Sequence, residues 1–321
     1  MSDKKPLRSL LVATDFSAAA DRALDHAIDL ARRHDASLVL VHAACCLEEP
    51  SDSPAEEWRV TGTDELERRV RQLQAFGLTV RGACGLGSPA KLILDEAERA
   101  EADLIFVGAH GRAGWRHFLL GSTCRRVIEH ANCPVLAIHE NDSIWPAGRR
   151  ILLFATDFSA QAKQAVRGAA EILHLEPADR AILCHSAYFA LAEDPALVPT
   201  SIPDLERSLL AEKGQLLKHE AANLRAAGIP CREELVEGYP PDAIADRARE
   251  IDAQLIVVGR VGRSGLAHLL MGSTAERITS IASCPVLVIP SRDKPAVLAR
   301  QATPSFPRSP SRGFARSSAV T

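Results

Sequence analysis

Apolar residues fall in short unbroken runs separated by longer mixed segments. Residues 10–13, 38–42, 104–108 and 135–138 are such runs, and 151–155, 181–185, 255–259 and 286–289 repeat the series. Runs without apolar–polar alternation predict strands buried on both faces, as in a parallel sheet. A weaker strand precedes Gly87 in the first series and Gly238 in the second. The segments between have helical spacing. Ala20, Ala23, Leu24, Ala27, Ile28 and Ala31 recur at three- and four-residue steps and form one apolar stripe. Residues 64–76 are strongly charged around Leu66, Val70 and Leu73, which predicts an exposed amphipathic helix. Strand and helix in alternation predict an α/β fold of doubly wound sheets with right-handed crossovers. Ligands of such sheets lie beyond the carboxyl ends of the strands, where the winding reverses.

The pattern repeats because the sequence does. Ala13-Thr14-Asp15-Phe16-Ser17 returns as Ala155-Thr156-Asp157-Phe158-Ser159, and residues 104–138 align without gaps on 255–289 with 19 of 35 positions identical. The first match is offset by 142 residues and the second by 151, so the second half carries nine more, placed mainly around 192–203. A period of that size is a duplicated domain. The expected boundaries are 1–143 for the first domain, 144–291 for the second and 292–321 for a tail. Residues 291–321 hold four Pro, six Ser and six Lys or Arg against one Asp, which reads as a disordered, basic, Pro/Ser-rich extension.

Composition narrows the function classes. Across 321 residues the net charge is −3, so nucleic acid and membrane are not expected as partners. No apolar run approaches the ~20 residues of a membrane span, and no signal-peptide core follows the charged first residues. The expected compartment is the cytoplasm. The eight Cys show no C-x-x-C spacing, so neither a disulfide scaffold nor a zinc site is indicated. Cys45-Cys46 is a vicinal pair at a predicted strand end.

The chemistry concentrates in Gly108-x-x-Gly111-x(9)-Gly121-Ser122-Thr123, which follows a strand and opens a helix, and in its copy Gly259-x-x-Gly262-x(9)-Gly272-Ser273-Thr274. Glycines let backbone approach a ligand closely, successive N–H groups form an anion nest, and a helix amino end favours phosphate. Read structurally, the same glycines make tight turns and Ser122 and Ser273 cap helices. The double occurrence, each loop paired with an Asp after the first strand, favours a ligand. Asp15 and Asp157 can accept from a ribose hydroxyl or an adenine amino group, and Ser17 and Ser159 read as helix N-caps. His42 and His185 hold equivalent strand-end positions, which packing or a backbone hydrogen bond explains. No G-x-x-x-x-G-K-[ST] loop occurs, and no nucleophile, base and orienting acid group together. The carboxylates of the long helices read as solvated faces.

With Cys133-Pro134-Val135-Leu136 and Cys284-Pro285-Val286-Leu287, and the turns Gly87-x-Pro89 and Gly238-x-Pro240, these motifs resemble the universal stress protein family over about 7–139 and 149–290. The loop spacing resembles its ATP-binding branch. The resemblance implies two Rossmann-like domains, each a five-stranded parallel sheet of order 3-2-1-4-5, whose last strands pair antiparallel as an intrachain pseudo-dimer. It implies ATP, with Mg2+ as an accompanying ion, and puts Val41 and Cys184 beside the adenine. Thr14 and Thr156 join the Asp residues in the implied site. His110 in the first loop, and Arg112 and Arg263 just after each second glycine, can reach phosphate or remain solvated. The second loop has Val261 where the first has His110, and Val261 offers no side-chain donor. The implied function is a cytoplasmic stress-response sensor or regulator with little or no catalysis, open to a regulatory protein partner and to further homodimer pairing. A slow nucleotide hydrolase and an interaction module with purely structural glycines are the competing readings.

Overall fold

The computed structural model describes residues 7–44, 55–111, 119–143, 150–175, 179–188, 202–262 and 271–291. The first half runs β1 (Ser9–Ala13), α1 (Ala18–His34), β2 (Ser37–Ala44), α2 (Ala55–Ala75), β3 (Val80–Leu86), α3 (Pro89–Arg99), β4 (Leu104–Gly108), α4 (Ser122–His130) and β5 (Val135–Ile138). The second repeats it as β6 (Ile151–Ala155), α5 (Ala160–Leu173), β7 (Arg180–Ala187), α6 (Ile202–Ala226), β8 (Cys231–Glu237), α7 (Pro240–Glu250), β9 (Leu255–Gly259), α8 (Ser273–Ile281) and β10 (Val286–Ile289). The helix expected over 64–76 is longer than its charge pattern suggested, and its Leu66 and Leu73 are buried.

All ten strands form one sheet in the order β3-β2-β1-β4-β5-β10-β9-β6-β7-β8. Each half is therefore 3-2-1-4-5, and every pairing within a half is parallel. The halves meet where β5 and β10 pair antiparallel, with Leu136 opposite Leu287. That pairing satisfies backbone groups that each half alone would expose as an open edge. The unbroken strand runs follow from the layering. Leu10 and Val12 belong to one core layer with Leu24 of α1 and Leu66 of α2. Leu11 and Ala13 belong to the other with Ile93 of α3 and Val127 of α4. Successive side chains point to opposite faces, and both faces are covered.

Helix starts obey local chemistry. Ser17 Oγ accepts from Ala20 N at 3.3 Å, and Ser159 Oγ accepts from Ala162 N at 3.1 Å. Ser17→Ala should cost about 1 kcal/mol, the usual loss of an N-cap. Urea denaturation checks this, and an unchanged midpoint would mean that packing alone starts α1.

Candidate functional site

Both halves build the same turn after their first strand. Thr14 N donates to Val41 O at 2.8 Å and Thr156 N to Cys184 O at 2.9 Å, tying the turn to the end of the second strand. Thr14 Oγ1 and Thr156 Oγ1 accept from Phe16 N and Phe158 N, each at 3.0 Å. Asp15 Oδ1 and Asp157 Oδ1 accept from Ser17 N and Ser159 N at 3.0 and 2.9 Å. These bonds hold Phe16 (φ 61°) and Phe158 (φ 67°) in the left-handed region, a conformation costly for a bulky residue and kept only where surroundings over-determine it. Each Phe ring lies against a histidine, Phe16 on His42 at 4.5 Å and Phe158 on His185 at 4.2 Å between centroids. His42 Nδ1 meets Thr14 O at 2.9 Å and His185 Nδ1 meets Thr156 O at 2.7 Å. A carbonyl only accepts, so each Nδ1 carries the proton. The two histidines therefore brace the Asp turn.

The glycine loops face these turns. Ala109 N donates to Ile138 O at 2.7 Å and Gly121 N to Ala109 O at 2.8 Å, and Arg260 N–Ile289 O (2.9 Å) and Gly272 N–Arg260 O (2.8 Å) repeat the clasp. Gly121 and Gly272 are the N-caps of α4 and α8, and neither helix start has a side-chain cap. Thus Ser122 and Ser273 do not cap, and the first-turn N–H groups of each helix lack intrahelical acceptors. A Cβ at Gly111 would lie 2.9 Å from Asp15 Oδ2, and one at Gly262 would lie 2.6 Å from Asp157 Oδ2. Loop glycine and carboxylate close on each other in both halves.

In the second half the space between them is a cavity of about 510 Å³. Its floor is the ends of β6, β7 and β9, with Thr156, Asp157, His185 and Gly259. One wall is the amino end of α8, Gly272 to Thr274, and another comes from Pro240 and Ile244 of α7. Lys213 of α6 and Tyr188 complete the lining. Tyr188 and Tyr239 are half exposed and meet edge to face at 5.6 Å. A volume of this order suits a small organic ligand. It joins a helix amino end, a carboxylate and apolar walls.

The universal stress protein family profile matches residues 6–139 and 148–290, almost all of the described fold. The chain belongs to the universal stress protein family. A universal stress protein of Mycobacterium tuberculosis (strain H37Rv) is 28% identical over 300 residues, covering 90% of this chain and 98% of that protein. Another, from Mycolicibacterium smegmatis, is 26% identical over 298 residues, covering 88% and 97%. The crystal structure of a universal stress protein from Archaeoglobus fulgidus matches with TM-score 0.63 at 20% identity over 88% of this chain and 96% of that one, a likeness of fold.

In this universal stress protein, Thr14, Asp15, Gly108, His110, Gly111, Gly121, Ser122 and Thr123 gather at the end of β1 and β4. Thr156, Asp157, Gly259, Gly262, Gly272, Ser273 and Thr274 line the second cavity together. Arg112 and Arg263 lie outside the described residues, as do Cys45-Cys46 and the tail. Val41 and Cys184 stand at equivalent positions in β2 and β7, their carbonyls bonded to Thr14 N and Thr156 N. Their side chains are buried, at 1% and 0% exposure. Burial pushes the Cys184 thiol up to about 12, which leaves it uncharged and inert. The next residue, His185, lines the cavity.

Glu220 of α6 departs from the solvated face expected of the helix carboxylates, and Lys213 shares its inward side. Lys213 lines the cavity, and Glu220, 5% exposed, accepts from Thr156 Oγ1 at 2.9 Å. Desolvation raises the Glu220 pKa, although the Thr156 hydrogen bond opposes the shift. The signal was in the spacing. Lys213 and Glu220 fall on the helical stripe of Leu217, Ala221 and Leu224, so they face inward. Among the described residues no group of three or more His, Cys, Asp or Glu can hold a metal. Among them too, no helix is long and apolar enough to cross a membrane.

Proposed function

We propose that this universal stress protein binds an adenine nucleotide, ATP, in each half and acts in the cytoplasm as a stress-response sensor or regulator. The observation that carries the reading is the second cavity. Uncapped N–H groups of α8 stand at one wall and the Asp157 carboxylate at the end of β6. Phosphate is drawn to the helix end by the partial positive charge of aligned peptides. The carboxylate takes a hydroxyl or amino donor from the nucleoside. Apolar Ile244, Val258 and Ile278 cover the middle. The mirrored turn, loop and uncapped helix around Asp15 support a second site of the same design in the first half.

Calorimetric titration of nucleotide-stripped protein with ATP tests this. A stoichiometry of two is expected. Clean apo protein with no measurable affinity would overturn it, and a value of one would single out Val261, which lacks the side-chain donor of His110. Asp15→Ala should weaken binding at the first site by ~1–3 kcal/mol, the cost of leaving a buried polar partner unmet. Unchanged ATP affinity at that site would remove Asp15 from it.

A further inference from the structure

The two sites are tied together by contacts that cross the β5–β10 junction. Arg260, the residue after Gly259 in the second loop, sends its guanidinium into the first domain. Its Nη1 donates to Ala131 O at 2.9 Å, Glu129 O at 3.2 Å and Ile128 O at 3.4 Å. Those carbonyls belong to the carboxyl end of α4, where intrahelical donors run out. The amino end of that nine-residue helix, about 14 Å away at 1.5 Å per residue, carries Ser122 and Thr123 of the first site.

The first domain answers with a different residue. His139 follows β5, and its Nε2 donates to Thr279 O at 3.1 Å, in the last turn of α8. The amino end of α8 lines the second cavity. The His139 ring lies 5.5 Å from that of His110 in the first loop. Repeat alignment places Ala109 opposite Arg260 and Pro290 opposite His139. The crossing contacts are therefore built twice from unlike residues, not inherited from the duplication. An ion pair from Arg125 Nη1 to Glu276 Oε1, 3.2 Å, joins α4 and α8 directly.

We propose that Arg260 and His139 are positioning residues that couple the sites crosswise: each reaches from beside one domain's loop to the carboxyl end of the helix whose amino end forms the other site. Movement of the second loop on ligand entry is passed through Arg260 to α4, and movement of the first loop through His110 and His139 to α8. A cation at the carboxyl end also complements the helix dipole. The proposal rests on the reading of both sites as nucleotide sites.

The test is calorimetry on the full chain with Asp157→Ala present, which weakens the second site so that the first titrates alone. Adding Arg260→Met should lower first-site ATP affinity by roughly two- to fivefold, the fold-change that the ~0.3–1 kcal/mol of a helix-end cation converts to. Adenosine, which has no phosphate to meet α4, should bind as before, and Arg260→Lys should recover part of the ATP affinity. The mirror experiment is His139→Phe read at the second site with Asp15→Ala present. ATP affinity unchanged by Arg260→Met, with the thermal midpoint retained, overturns the coupling while leaving both sites standing. Equal losses for ATP and adenosine also overturn it, since they mark general damage. A parent chain that binds no ATP removes the nucleotide reading, and the coupling with it.

Discussion

Gly262→Val is expected to cut the ATP stoichiometry from two to one. A Cβ at this position would stand 2.6 Å from Asp157 Oδ2 and 3.6 Å from Asp157 Cγ. The carboxylate cannot simply swing away, because its other oxygen accepts from Ser159 N at 2.9 Å and sets the start of α5. Either the Asp turn breaks or the loop retreats from the cavity. Both outcomes remove contacts from opposite ends of the nucleotide. Two lost hydrogen bonds at about 1–1.5 kcal/mol each amount to roughly a hundredfold in affinity. The first site should still titrate. Gly111→Val is the mirror case, with its Cβ 2.9 Å from Asp15 Oδ2. A Gly262→Val protein that still binds two ATP would show that loop and carboxylate do not share a ligand.

Asp179→Ala is expected to have the largest effect on stability. Arg150 and Asp179 are buried, with side chains 5% and 1% exposed. Arg150 Nη2 and Nε donate to Asp179 Oδ2 and Oδ1 at 2.5 and 3.0 Å. Arg150 N also donates to Asp179 Oδ1, at 3.1 Å, and Nη2 to Leu173 O at the carboxyl end of α5. Removing the carboxylate strands a guanidinium away from water, which costs about 3–5 kcal/mol. For a domain of this size that lowers the thermal midpoint by roughly 6–20 °C. The second half should melt first, resolved by calorimetry as a separate low-temperature transition. Replacing both partners, Arg150→Met with Asp179→Leu, should recover most of the loss, because an apolar pair leaves no charge unmet. A midpoint unchanged in Asp179→Ala would mean that water reaches the arginine.

What could be read from the chain differs between these two cases. Gly262 and Asp157 stand in repeated motifs, and the glycine spacing speaks for close backbone approach. Nothing in the pattern marks Arg150 and Asp179. They are polar residues just before two strands, 29 positions apart, and they meet because β6 and β7 pair with Ile151 opposite Arg180. The same holds for Arg260, whose carbonyl partners lie about 130 residues earlier. Lys213 and Glu220 are intermediate. Their helical phase pointed inward, but charge on a long helix normally points to water.

The sequence by itself determined the duplication, the alternation of strand and helix, the 3-2-1-4-5 order through its family motifs, and the two Asp–glycine-loop pairs. These are local or repeated features, set by side-chain periodicity, backbone freedom at glycine and the chemistry of helix ends. The tertiary structure alone decided which side chains cross between halves, that Arg150 and Asp179 meet in the core, and that His185 lines the cavity. Those facts depend on strand register and on the antiparallel seam of β5 with β10. A shift of one residue along a strand turns a side chain from one face to the other, and no local pattern records which face a distant partner will occupy.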